Sequence, residues 1–212
     1  MNWMRNRVFA ATGILAAAAL LAFTTGCRVQ VDKDTSGHDK NVKVDTPFGG
    51  VHVNTNQTTA ADLGLPAYPG AQLVVDKDND KSADVHLGFG QWELRVRAVN
   101  YSSADSQEKV QDFYKKALGR YGDVIVCENM KPVGKPTATA EGLTCENKKH
   151  GANIQVGDNS SVNSSEGHQL KAGSERHQHI VGFEKPIDGQ TRFALVSIDL
   201  PNITGDDTDK KD

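Results

Sequence analysis

Residues 92–122, WELRVRAVNYSSADSQEKVQDFYKKALGRYG, change their hydrophobic period part-way and so decide the fold. Trp92, Leu94, Val96 and Ala98 alternate with Glu93, Arg95 and Arg97, the two-residue period of a strand with one wet face. From Val110 onward the apolar residues recur at Phe113, Tyr114, Ala117, Leu118 and Tyr121, which is one face of a helix. Asp105 stands as an N-cap with Glu108 three residues later, a capping-box spacing. Asp112 and Lys116 pair four apart on the wet side, and Gly119 and Gly122 supply the stop. A helix is therefore expected over about 105–121. Its apolar face needs a layer to pack on, and the strands on either side are the nearest one.

Upstream, Val85, Leu87 and Phe89 alternate in odd phase, whereas Trp92 starts an even phase. A two-residue period cannot change phase without a turn or bulge, and Gly88 and Gly90 allow one. Val42 and Val44, then Thr46-Pro47-Phe48-Gly49-Gly50, then Val51 and Val53 predict a hairpin over 41–56. Pro66 to Ala71 forms a turn into a strand at 72–75. Downstream, strands are expected at 123–128, 143–147, 153–156, 178–184 and 192–200. The expected fold class is α+β, an antiparallel β-sheet with one principal amphipathic helix (about 105–121) packed on it. This domain would span 64–202. Arg28–Lys40 is polar and charged, so 27–40 reads as a tether, and 203–212 as a disordered tail.

The N-terminus carries a different signal. Met1–Arg7 holds two Arg and no acid, Val8–Phe23 is an apolar run, and Thr24-Thr25-Gly26-Cys27 follows. A basic start, an apolar stretch and small residues form the layout of an export signal, here 1–26. The Thr25-Gly26-Cys27 ending resembles the lipobox of bacterial lipoproteins, with Thr24 standing where that family usually has Leu. The resemblance implies that Cys27 becomes residue one and is acylated, so that the membrane is a partner through an N-terminal lipid anchor. Arg28 stands where an Asp would mark inner-membrane retention in enteric-like lipoproteins, which favours the outer membrane, with the protein facing the periplasm. The charge-free span Val8–Cys27 would alternatively serve as an uncleaved anchor.

A second resemblance covers about residues 64–130. Tyr68-Pro69-Gly70-Ala71, then Asp105-Ser106, Val110, Phe113-Tyr114 and Leu118 resemble a recurrent, largely uncharacterised module of exported bacterial proteins. It implies a small α+β domain and no particular activity.

If Cys27 is acylated, Cys127 and Cys145 remain, and an even pair in an exported protein reads as a disulfide. Between them lies KPVGKPTATAEG, a loop able to fold one back on the other. Two buried free thiols are the alternative.

Composition narrows the function classes. The 212 residues include 24 basic and 27 acidic ones, and removing 1–26 leaves 22 against 27. No clustered basic face is present, so nucleic acid is not an expected partner. Motifs for catalysis are missing: there is no Gly-x-Ser-x-Gly, no His-Glu-x-x-His and no phosphate-binding Gly loop. Ser174, Glu175 and His177 do not form a triad merely by adjacency. Asp76, Asp78, Asp80, Ser82 and Asp84 alternate like calcium ligands, but Lys81 and Leu87 stand where the loop needs Gly and Glu. His177 and His179 would share one strand face, with His168 near in sequence, and are the candidate metal ligands. The reading is a non-catalytic binding or envelope-structure module without a cofactor, with room for an envelope protein as partner. The alternative is a periplasmic metal-binding protein using His177 and His179.

Overall fold

A computed structural model describes residues 27–33, 39–75, 81–146 and 167–201. The strands are β1 (Arg28–Lys33), β2 (Asp39–Thr46), β3 (Gly49–Thr55), β4 (Gln72–Leu73), β5 (Ser82–Phe89) and β6 (Trp92–Ser103). Helix α1 (Gln107–Leu118) follows, then β7 (Val124–Glu128), β8 (Lys131–Pro132), β9 (His168–Gly173), β10 (His177–Phe183) and β11 (Thr191–Asp199). The described strands form one sheet in the order β1-β2-β3-β5-β6-β11-β10-β9-β7-β8, with β4 pairing the far end of β6. Every pairing is antiparallel.

This corrects the expected fold class. Strand makes up 53% of the structure and helix 13%, so the fold is mainly β rather than α+β. The helix periodicity at 107–118 is real, but α1 is a local cover on a sheet far wider than itself. The extra width comes from strands whose partners supply the pattern that they lack alone. Arg28–Lys33 lies in the stretch expected as a tether, yet it pairs with β2, setting Val29 opposite Val44 and Val31 opposite Val42. His168–Gly173 carries a lysine in its middle and pairs with both β7 and β10. Cys145, expected in a strand at 143–147, sits instead in a loop held by bridges at Ala138–Thr144 and Gly142–Ser174. The expected strand at 153–156 and the tail at 203–212 lie outside the described residues, as does the leader 1–26.

The chain enters at the β1 edge and steps inward by antiparallel neighbours to β6. It leaves through α1, re-enters at the opposite edge, and returns through β9 and β10 so that β11 closes against β6 from Thr191–Ser103 to Asp199–Arg95. Alternation then assigns the faces. Val99 and Tyr101 of β6, Leu170 and Ala172 of β9, Val181 and Phe183 of β10, and Phe193 and Leu195 of β11 point to the helix side. Val110, Tyr114 and Leu118 of α1 are fully buried against this face. Rings lock the centre: Tyr101 stacks on Phe193 at 5.8 Å, and Tyr68 meets Phe113 edge-on at 5.1 Å.

The turn before β4 feeds this core. Ala71 N–H donates to Tyr68 C=O at 3.0 Å, with Pro69 and Gly70 between them. Gly70 has φ +78°, the left-handed value that the third position of a type II turn requires. Ser106, not Asp105, is the N-cap of α1, and it makes no side-chain capping bond. Asp105 is engaged elsewhere: Tyr68 Oη donates to it at 2.8 Å and Lys109 Nζ at 3.1 Å.

On the reverse face, Cys127 and Cys145 form a disulfide with Cα atoms 5.5 Å apart, buried with Ile125 and Leu143. It ties the loop after β8 to the sheet. Lys171 is buried beside it, 1% exposed, with Nζ donating to Cys145 C=O at 3.4 Å. Burial pushes this ammonium down to about 8.

Candidate functional site

The alternation of β6 that turns Trp92, Leu94, Val96 and Ala98 to one face, where Val96 and Ala98 are buried, sends Glu93, Arg95 and Arg97 to the other. Register then builds two polar rows across the sheet. His52, His86, Arg95, Asp199 and His177 face one another in turn on β3, β5, β6, β11 and β10. Asn54, Asp84, Arg97, Ser197 and His179 form the next row.

The charges in these rows bind each other. Arg95 grips Asp84 with both Nε (3.0 Å) and Nη2 (2.6 Å), a two-pronged pairing that raises the guanidinium's own pKa further. Arg97 Nη2 reaches Asp199 Oδ2 at 3.4 Å, and Asp199 Oδ1 lies 3.0 Å from His177 Nδ1. Arg97 Nη1 also donates to the Asp62 carbonyl in a three-residue 3-10 turn, Ala61–Leu63. The Asp62 carboxylate is occupied by the Thr59 N–H (2.8 Å) and hydroxyl (2.7 Å), which hold it below the usual carboxylate range. Between the turn and the sheet lies an open cleft of about 400 Å³, lined by Asn54, Gln57, Thr58, Asp62, Asp84 and the two arginines.

The cleft therefore offers amide, hydroxyl and carbonyl groups with its cations already matched by carboxylates. That suits a neutral polar ligand better than a free anion, because an anion would have to compete with Asp84 and Asp199 for the guanidiniums.

The expected metal ligands share a side of β10 but have different partners. His177 is held by Asp199, while His179 stacks on Tyr121 with ring centres 3.6 Å apart and planes 16° from parallel. Tyr121 in turn donates to Gly64 C=O at 2.7 Å. Burial lowers the pKa of His179 and favours its neutral form. His168 lies at the opposite end of the sheet, facing Phe183, with Nδ1 3.2 Å from Glu128 Oε1. Among the described residues no group of three or more His, Cys, Asp or Glu is placed to hold a metal ion. Asp76, Asp78 and Asp80 lie outside them.

Cys27 is an exposed free cysteine directly before β1. Among the described residues no helix is long and apolar enough to cross a membrane. The Asp84–Arg95 and Arg97–Asp199–His177 links were missed in the sequence. The only signal was charge at alternate positions of β6, which suggested a wet sheet face and not a cleft. Comparison with protein-family models, with the curated proteins and with the solved structures finds no match to this chain.

Proposed function

We propose that this chain is a bacterial lipoprotein, anchored through Cys27 and facing the periplasm, whose β domain acts as a non-catalytic binding module. The observation that carries the anchor is Cys27 itself: exposed, preceded by Gly26 and a basic-then-apolar leader, and set directly before the edge strand of the sheet. The disulfide between Cys127 and Cys145 supports an oxidising compartment, where such bonds persist. Arg28 favours the outer membrane.

The cleft beside Asp62 supports a binding role. Its arginines are paired with Asp84 and Asp199 and its Asp62 carboxylate is held by Thr59, so it presents hydrogen-bonding surface and not an activated nucleophile with a base. The metal-binding alternative is less favoured, because His177 Nδ1 already faces Asp199 Oδ1 at 3.0 Å and, among the described residues, no third ligand is grouped with His177 and His179.

Feeding expressing cells radiolabelled palmitate tests the anchor. Label is expected in the wild-type chain and not in Cys27→Ala. Equal labelling of the two would refute it.

A further inference from the structure

We propose that the Cys27 end of the sheet is a bilayer-contact margin, in which Phe48, Phe89 and Trp92 enter the interfacial layer of the phospholipid membrane. This rests on the lipid-anchor reading for its membrane, but the margin is argued from its own geometry.

Register brings the parts to one rim. Cys27 precedes Arg28, which faces Asp45 near the end of β2. The β2–β3 turn carries Phe48 at its tip, and Gly49 just after it faces Phe89. Phe89 in turn faces Trp92, with ring centres 5.9 Å apart. At the usual strand spacing Phe89 lies about 14 Å across the sheet from β1, and Trp92 about 19 Å. No linker separates the anchor from this rim, because β1 begins at Arg28.

Several apolar side chains here are poorly used by the fold: Phe48 is 85% exposed, Val29 61% and Phe89 48%, while Trp92 is half-buried. Phe48 is nonetheless held in place: Thr46 Oγ1 accepts from the Phe48 N–H (3.3 Å) and the Gly49 N–H (3.1 Å) and donates to Gly49 C=O (2.7 Å). Gly49 is needed here, since a Cβ on it would come within 2.6 Å of the Phe89 ring.

The chemistry of the rim fits the boundary between water and hydrocarbon. Tryptophan, with its apolar body and polar N–H, is favoured at that depth, and phenylalanine adds apolar area. Behind the rim, Val29, Val44, Val51, Leu87 and Leu94 run side by side across five strands. β3, β5 and β6 place no charged side chain on that face. A lipid on Cys27 tethers the domain but leaves it free to swing, and a second contact of this kind beside the anchor fixes its orientation on the membrane.

Trp92 reports on the proposal directly, because the chain has only one other tryptophan, Trp3 in the leader. The full chain carrying Trp3→Phe is expressed with its own leader and reconstituted into phosphatidylethanolamine–phosphatidylglycerol vesicles. Part of the lipid is brominated near the top of the acyl chains. Trp92 emission is expected to fall at least twofold relative to unbrominated vesicles, and Phe48→Ser, which removes an exposed ring, is expected to halve that quenching. Emission indifferent to bromine overturns the margin, including the case where Trp92 is shielded by a second copy of the chain. Mass spectrometry of the same sample separates the two readings. Quenching without lipid on Cys27 leaves the margin standing and the anchor refuted; lipid on Cys27 without quenching does the reverse.

Discussion

Tyr68 Oη donates a 2.8 Å hydrogen bond to Asp105 Oδ2, joining the turn before β4 to the start of α1 across 37 residues of chain. The Tyr-Pro-Gly-Ala turn and the Asp-Ser helix start, the two parts of the module resemblance, thus meet in one contact. The bond holds the Asp105 carboxyl below its usual range and raises the Tyr68 phenol above its own. A lowered carboxyl contributes stability that is present above its unfolded pKa and lost as pH falls through the folded one. The raised phenol contributes stability that is present below pH 10 and lost as pH climbs through its folded value. Tyr68→Phe should therefore lower the melting temperature by a few degrees near neutral pH, and the difference from wild type should shrink below about pH 4. A pH series of thermal melts on both proteins checks it; a difference that stays constant across pH would contradict the coupling.

Lys171 should cost stability. Its folded pKa of about 8 lies below the unfolded value of 10.5, so between these values the unfolded chain binds more protons. Wild-type stability should then rise with pH across that window relative to Lys171→Met. At pH 7 the methionine variant should be more stable by about 1–3 kcal/mol, having lost a buried charge and kept the volume. Denaturant unfolding at pH 7 and pH 10 would show it. A variant less stable at both would mean that the bond to the Cys145 carbonyl outweighs the burial.

Removing the disulfide should loosen one loop before it unfolds the sheet. Cys127→Ser with Cys145→Ser opens a bridge of sequence separation 18, worth about 3 kcal/mol by the chain-entropy model. Limited proteolysis should cut between residues 129 and 146 in the variant well before β5 and β6 are attacked. Identical cleavage of the two proteins would count against this role.

The Asp84–Arg95 pair should couple by about 1 kcal/mol, since Asp84 is well covered but Arg95 is partly exposed. A double-mutant cycle with Asp84→Asn and Arg95→Gln measures the term, which should weaken as salt is added. A coupling near zero at low salt would mean that the cleft wall is not held by this pairing.

What the sequence reveals depends on how local the cause is. Helix α1 and the β5–β6 change of phase were readable because spacing within a few residues sets them. The disulfide was readable because two cysteines remain once Cys27 is set aside. Strand β1 was hidden: Val29 and Val31 stand among charged residues, and only their pairing with Val44 and Val42 makes them a strand. Strand β9 was hidden by Lys171, which reads as solvent-facing and is in fact buried. Those two strands help make the sheet eleven-stranded among the described residues and the fold mainly β. The polar rows were out of reach for the same reason, because Arg97, Asp199 and His177 meet only through the register of β6, β11 and β10.

The most direct test of the account is intact-mass and N-terminal peptide mass spectrometry of the protein purified from membranes of a bacterial host. The account predicts a chain that starts at Cys27 and carries a thioether-linked diacylglyceryl group. A chain that still holds residues 1–26, or one that starts at Cys27 with an unmodified thiol, would contradict it.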